Sequence, residues 1–189
     1  MKGLAIIFAR APRLGTVKRR LARDIGERAA LRFHQAMLGS LIRRLARDRR
    51  FETVVALTPD GARVRVPARI RVVAQGRGDL GVRMSRALAR GRRAVLVGCD
   101  IPGIGAADIA AGLRALGRVD AVFGPAADGG YWLVGQGLRR PGRPFAGVRW
   151  STEHALADTL TNFARHRVAL LRRMRDVDTV ADLEAMGLR

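Results

Sequence analysis

At 189 residues with one cysteine and a formal net charge of +20, the chain is long enough for a single domain with a real core and is not a disulfide scaffold. The charge raises a nucleic-acid or anionic-membrane role. However, the basic residues are scattered over every predicted helix and loop, Lys2 and Lys18 are the only lysines, and aromatics at 5% are too sparse to interleave as a base-stacking platform. No specific nucleic-acid partner is expected and no run approaches a membrane span; a lone thiol fits the reducing cytoplasm.

Met1-Lys2 leads directly into an apolar run at residues 3–9, which reads as a buried first strand rather than a secretion signal. Arg10 to Val17 form a loop containing Pro12 and Gly15, and a helical region follows from Lys18 to Arg50, broken near Gly26. Its second part sets Leu31, Leu38, Leu41, Ile42 and Leu45 at helical spacing, with arginines on other faces. Strands are predicted at Glu52–Thr58, ending in Pro59-Asp60-Gly61, and at Arg69–Ala74. A helix over Asp79–Arg90 can be closed by Gly91, and a fully apolar strand spans 93–99.

Ala106–Leu116 gives another helix, and Asp120–Gly124 and Tyr131–Gly135 give two more strands. Ser151 is a candidate N-cap for a helix over Thr152–Arg165, Val168–Leu171 is a last strand, and Thr179-Val180-Ala181-Asp182 has capping-box spacing before a final helix. This alternation predicts one α/β domain over residues 1–189: a three-layer αβα sandwich around a mostly parallel sheet. Functional loops then gather along one sheet edge.

Two stretches on that edge carry chemistry. Asp100 follows the buried strand directly, in Gly98-Cys99-Asp100-Ile101-Pro102, where a carboxylate can reach a metal or a phosphate-bearing ligand. Its bland alternative is a turn or helix cap. In the first loop, Ala11, Pro12 and Gly15 permit close backbone approach, the next helix start offers free N–H groups, and Arg10, Lys18 and Arg20 can neutralise phosphate. The alternative is a basic turn whose cations oppose the helix macrodipole. The loop is not a Walker-type loop.

Six segments occur in one order: the first loop, Gln75 to Met84, Gly98-Cys99-Asp100, Gly124 to Leu133, Val148 to Thr152, and Asp176-Val177-Asp178-Thr179. Together they resemble the bacterial GT-A-fold transferases of the nucleotide-diphospho-sugar transferase superfamily, of the selenodomain or radical-SAM-associated, arsenosugar-biosynthesis type. That group is related to 2-phospholactate guanylyltransferases and molybdenum-cofactor nucleotidyltransferases. The resemblance spans nearly the whole chain.

It implies a GT-A fold, a nucleotide or nucleotide-sugar donor in the strand-end crevice, a small-molecule acceptor, and a divalent cation, Mg²⁺ or Mn²⁺, on the acid after the central strand. Asp100 matches that acid. A second ligand is expected from Asp178 or Asp176, whose alternative is capping beside Thr179. The family's Lys-Thr-Arg-Leu stands here as Lys18-Arg19-Arg20-Leu21, Cys99 replaces a common Ser or Thr, and Val82 replaces a common acid.

Nucleotide contacts are expected from Arg10, Ala11, Pro12, Gly15, Lys18, Arg20, Gln75, Gly78, Asp79 and Arg83. Of these, Asp79 could be only the first-turn acid of its helix and Arg83 a solvated face. Asp128 is a candidate general base, with Gly129, Gly130, Tyr131, Trp132, Trp150, Ser151 and Thr152 around an acceptor; the alternative is a hairpin turn with core aromatics. His34, His154 and His166 show no metal-ligand spacing and read as structural or surface residues.

The expected activity is metal-dependent glycosyl transfer from a nucleoside-diphosphate sugar. Nucleotidyl transfer is the alternative, and a basic nucleic-acid-binding protein without catalysis is the third reading.

Overall fold

The first strand has no polar side. Along Gly3–Arg10 (β1), Leu4 and Ile6 are buried on one face and Ala5, Ile7 and Ala9 on the other, so helices must cover both. In the computed structural model, which describes residues 2–177 and 179–185, they do. The remaining elements are α1 (Arg19–Ile25), α2 (Glu27–Ala46), β2 (Phe51–Thr58), β3 (Arg71–Ala74), α3 (Leu80–Leu88), β4 (Ala94–Val97) and α4 (Ala106–Ala115). They are followed by β5 (Ala121–Pro125), β6 (Tyr131–Gln136), α5 (Ala155–Thr161), β7 (Val168–Leu170) and α6 (Val180–Ala185).

The strands form one seven-stranded sheet in the order β3-β2-β1-β4-β6-β5-β7. All pairings are parallel except those of β6, which runs against both β4 and β5. One face packs Ala5, Ile7, Val95 and Val97 against Leu38, Leu41, Ile42 and Leu45 of α2 and Ile109 and Ala110 of α4. The other packs Leu4, Ile6, Leu96 and Phe123 against Met84, Ala87 and Leu88 of α3, with Phe145, Phe163, Leu156 and Leu160 beside them. This is the expected three-layer α/β sandwich with a mostly parallel sheet.

The chain steps outward from β1 through β2 to β3, then returns to the other side of β1 as β4. The carboxyl ends of β1 and β4 therefore flank a topological switch point, where open α/β sheets form their ligand crevices. Reversed β6 serves the same edge, because the loop from β5 to β6 turns over the carboxyl end of β5.

Three local expectations resolve differently. Gly26, at φ 82°, separates α1 from α2 as expected. The Thr179–Asp182 box forms despite the shorter acid, with Asp182 Oδ2 accepting from Thr179 N at 2.9 Å and from its hydroxyl at 2.7 Å. Ser151, by contrast, does not cap α5. Its φ of 62° turns the chain away from a helix, His154 is the cap residue, and the helix runs only over Ala155–Thr161 before turns bury Phe163.

Candidate active site

Lys18 is the pivot of the first loop. It occupies the position before α1 with φ 47°, a left-handed conformation costly for a side chain with a Cβ. Its ammonium is almost wholly buried, donating to the Val177 carbonyl at 2.7 Å and to Asp100 Oδ1 at 2.9 Å. The Asp100 carboxylate is about half exposed, at 51%, so it is held on one side and open on the other. The backbone repeats the tie, since Val177 N donates to the Asp100 carbonyl at 3.2 Å. These bonds seat the segment containing Asp176 beside the end of β4.

Two clefts meet at this point. One, of about 520 Å³, lies under the basic loop and is lined by Arg10, Thr16, Lys18, Arg19, Arg20, His34 and Cys99 among others. The second, of about 270 Å³, is floored by Phe8, Leu80, Met84 and Leu96, with Tyr131, Trp150, Thr152 and Asp176 among its walls. Asp100, Asp128 and Ser151 line both. A cationic chamber and a largely apolar, aromatic one thus share two carboxylates. Lys18 and Ser151 are also the two non-glycine residues at positive φ among the described residues. Backbone strain concentrated in this way is a mark of functional sites.

Asp128 is fixed by its own turn, for its Oδ1 accepts from Gly130 N at 2.9 Å, leaving Oδ2 for another partner. Gly129 makes the turn possible. Its φ is +85°, and a Cβ there would collide with the Glu153 backbone; its carbonyl accepts from Leu156 N at 3.0 Å, joining the loop to α5.

The aromatic candidates divide. Trp132 is 3% exposed, packs into the core beside Gly124 and donates its indole N–H to the Arg172 carbonyl at 3.1 Å, while still lining the aromatic cleft. Tyr131 and Trp150 form the wall, with ring centroids 6.4 Å apart in an edge-to-face pair and a second edge contact from Tyr131 to Phe123 at 5.4 Å. Burial pushes the Tyr131 phenol up, so it remains protonated across the physiological range. Thr152 donates from its hydroxyl to the Arg149 carbonyl at 2.8 Å, ordering the turn before α5.

The other predicted nucleotide contacts sit apart. Gln75 is 2% exposed and donates its amide to the Ala9 and Ala56 carbonyls at 3.0 Å each, tying β1 and β2 together. Arg83 donates to Gln75 Oε1 at 3.0 Å, and Asp79 caps α3 by accepting from Val82 N at 2.8 Å. With Gly78, at φ 111°, these residues shape the turn into α3 and line neither cleft. Ala11 is buried, its N–H on the Thr58 carbonyl at 2.7 Å, while Pro12 lines a separate groove beside α2 and Gly15, at φ 71°, supplies the bend between them and Lys18. Asp178 lies outside the described residues, whereas Asp176 lines the aromatic cleft.

Sequence reasoning missed His34, which is buried on α2, holds the Arg10 carbonyl through Nε2 at 3.1 Å and lines the basic cleft. Nothing in its spacing signals this, because only the fold brings α2 beneath the loop. Arg19, set aside as a departure, also lines that cleft.

A divalent-cation role for Asp100 can be tested against the donors present. Asp100, Asp128 and Asp176 line one cleft and are oxygen donors of the kind hard cations take, and Asp100 keeps an open side. The donor chemistry suits such an ion, although the three carboxylates are not gathered within 4.8 Å of one another.

A crystal structure from Desulfovibrio desulfuricans G20, provisionally described as a nucleotide-diphospho-sugar transferase, is 30% identical, with 98% of this chain and 87% of that one covered at a TM-score of 0.89. Rv0371c from Mycobacterium tuberculosis H37Rv, crystallised in complex with manganese, is 19% identical over 98% of each chain at 0.53. The 2-C-methyl-D-erythritol 4-phosphate cytidylyltransferase of Thermus thermophilus is 16% identical, over 98% and 97% of the two chains, at 0.57. At those identities the last two show the fold alone. No curated protein matches the sequence. The match to the bacterial family DUF2064, described as uncharacterised, covers residues 41–152, from α2 through the Asp100 loop, the Asp128 turn and Trp150. The chain belongs to that family, and its fold is that of the nucleotide-diphospho-sugar transferases.

Proposed function

We propose that this protein is a divalent-cation-dependent transferase that moves a glycosyl group from a nucleoside-diphosphate sugar to a small-molecule acceptor. The observation that carries the reading is the junction of a cationic cleft and an aromatic one at Asp100 and Asp128. The likeness to the Desulfovibrio transferase supports it.

In this reading Arg10, Lys18 and Arg20 hold the diphosphate, and Lys18 exchanges its bond to Asp100 for one to a phosphate oxygen as the donor enters. Asp100, with Asp176 or Asp178, would hold Mg²⁺ or Mn²⁺, which supplies charge neutralisation for the departing diphosphate. Tyr131 and Trp150 offer ring faces and edges to the sugar or acceptor. Asp128, steadied by Gly130, takes the acceptor hydroxyl proton as that oxygen bonds to the anomeric carbon and the nucleoside diphosphate leaves.

A second reading is nucleotidyl transfer. The cleft lined by Arg10, Lys18, Arg19 and Arg20 suits a triphosphate equally, and the cytidylyltransferase likeness is compatible with it. Here an acceptor phosphate attacks the α-phosphate and diphosphate departs.

Product analysis separates the two. Purified protein is incubated with a panel of nucleoside-diphosphate sugars or of NTPs, with Mn²⁺ or Mg²⁺ and candidate acceptors. Cation-dependent release of a nucleoside diphosphate from one sugar donor is expected; release of inorganic diphosphate from an NTP instead would overturn glycosyl transfer.

A further inference from the structure

Three side chains from two separate parts of the sequence, His34 and the adjacent pair Cys99 and Asp100, meet beneath the basic loop. His34 of α2, Cys99 and Asp100 each offer a ligand atom, and those atoms all lie within 4.8 Å of one another. The donors are nitrogen, sulfur and oxygen. That is a poor set for Mg²⁺, which takes oxygen, and a suitable one for Zn²⁺ or Co²⁺, which accept imidazole, thiolate and carboxylate together.

Other features of the cluster suit such an ion. All three residues line the 520 Å³ basic cleft, giving an entry path and leaving a fourth tetrahedral position for water or a ligand. The His34 ring is oriented by its bond to the Arg10 carbonyl, the kind of backing that metal-ligating histidines have. Cys99 Sγ already lies 4.0 Å from Asp100 Oδ1. Metal bonds of about 2.0–2.3 Å would draw the donors to roughly 3.5 Å apart, a movement of about an ångström. The half-exposed Asp100 side chain can supply much of that shift.

We propose that His34, Cys99 and Asp100 form a binding site for a zinc-type divalent ion, distinct in chemistry from the hard-cation role of Asp100. Binding forms a sulfur–metal bond as the Cys99 S–H bond breaks, and the proton passes to solvent; the neutral imidazole binds through a lone pair and no electron changes hands. Lys18 gives up Asp100 and keeps the Val177 carbonyl. One consequence rests on the transferase reading: zinc on Asp100 would compete with Mg²⁺ or Mn²⁺ for that carboxylate and so oppose donor binding.

The test is an optical titration of the untagged, metal-free full chain with Co²⁺, without nucleotide. Cys99 is the sole cysteine, so any thiolate-to-cobalt charge-transfer band reports this site alone. The expected result is that band together with tetrahedral d–d absorption, saturating at one equivalent and erased by Zn²⁺. Cys99→Ser, nearly isosteric, loses the band. Asp100→Asn and His34→Ala keep it but shift the midpoint to higher Co²⁺ by at least the ~10-fold that loss of even an outer-shell partner costs.

Absence of a charge-transfer band at saturating Co²⁺, or equal Zn²⁺ affinity in wild type and Cys99→Ser, would overturn the assignment. Neither result depends on a nucleotide, so failure here is distinguishable from failure of the transferase reading.

Discussion

Lys18 and Asp100 hold each other in an arrangement that a bound diphosphate must change. Asp100→Asn keeps the shape and removes the negative charge that faces the buried Lys18 ammonium. The expected cost is about 1.5–3 kcal/mol of folding stability, the range for a hydrogen bond between charged groups. A denaturant titration checks it; a variant as stable as wild type would mean that the ion pair contributes nothing to the loop. Gly129→Ala imposes a left-handed conformation on a residue with a Cβ and pushes that Cβ into the Glu153 backbone. The strain alone is worth about 1–3 kcal/mol, so its melting temperature should fall well below that of wild type. An unchanged melt would contradict the geometry of the Asp128 turn.

At the level of single residues, the place of Asp100 at the strand-end crevice was legible because it closely follows a buried apolar strand, with a turn or helix cap as the other reading. His34 was not, because its role depends on where α2 crosses the first loop. Gln75 and Asp79 resembled nucleotide contacts in sequence, yet their side chains are engaged by the β1 and β2 carbonyls and by the first turn of α3.

Among the elements, the turn before α5 shows how a short charged contact sets a cleft wall. Arg149 donates from its side chain to both carboxylate oxygens of Asp158, at 2.9 and 2.8 Å, and from its backbone N–H at 3.0 Å. These bonds carry Trp150 and Ser151 to the site. They hold the Asp158 carboxyl down at about 2, from an ordinary value of 3.8. A depressed acid stabilises the fold above its unfolded pKa, and that stabilisation disappears as pH falls through the folded value. The stability gap between wild type and Asp158→Asn should thus be constant from neutral pH to about 4 and close as pH approaches about 2. Thermal melts across that window test it, and a gap that persists at the acid end would contradict the assignment.

The apolar runs made β1, β2 and β4 readable, since these strands are largely buried, whereas the edge strands β3 and β7 are partly or wholly exposed. The start of α5 was misread because Ser151 has the chemistry of a cap, and only its φ of 62° shows that the chain is still turning there. The local sign that β6 runs backwards was the hairpin turn, given in the sequence only as the alternative reading of the Asp128 segment. Its direction follows from a tight β5–β6 connection, which a hairpin-like Asp128-Gly129-Gly130 turn permits.

For the molecule as a whole, the net charge of +20 is spread along the chain. Part of it is neutralised locally, as in Arg172 with Asp108 at 2.8 Å and Arg50 with Asp48 at 2.6 Å. Part of it faces the switch-point crevice, where it would attract phosphorylated donors in a salt-dependent way. No helix among the described residues is long and apolar enough to cross a membrane.

In the proposed function, Asp100 and the basic loop together hold a nucleoside diphosphate with a divalent cation. The most direct measurement is a thermal-shift comparison of wild type and Asp100→Asn against nucleoside diphosphates and their sugars, with and without Mn²⁺. A ligand specific to the folded state adds about 2.7 kcal/mol at a hundredfold excess over its dissociation constant. Stabilisation of wild type by one nucleotide, requiring Mn²⁺ and lost in Asp100→Asn, is the expected result. Stabilisation of equal size in both proteins, indifferent to the metal, would contradict it.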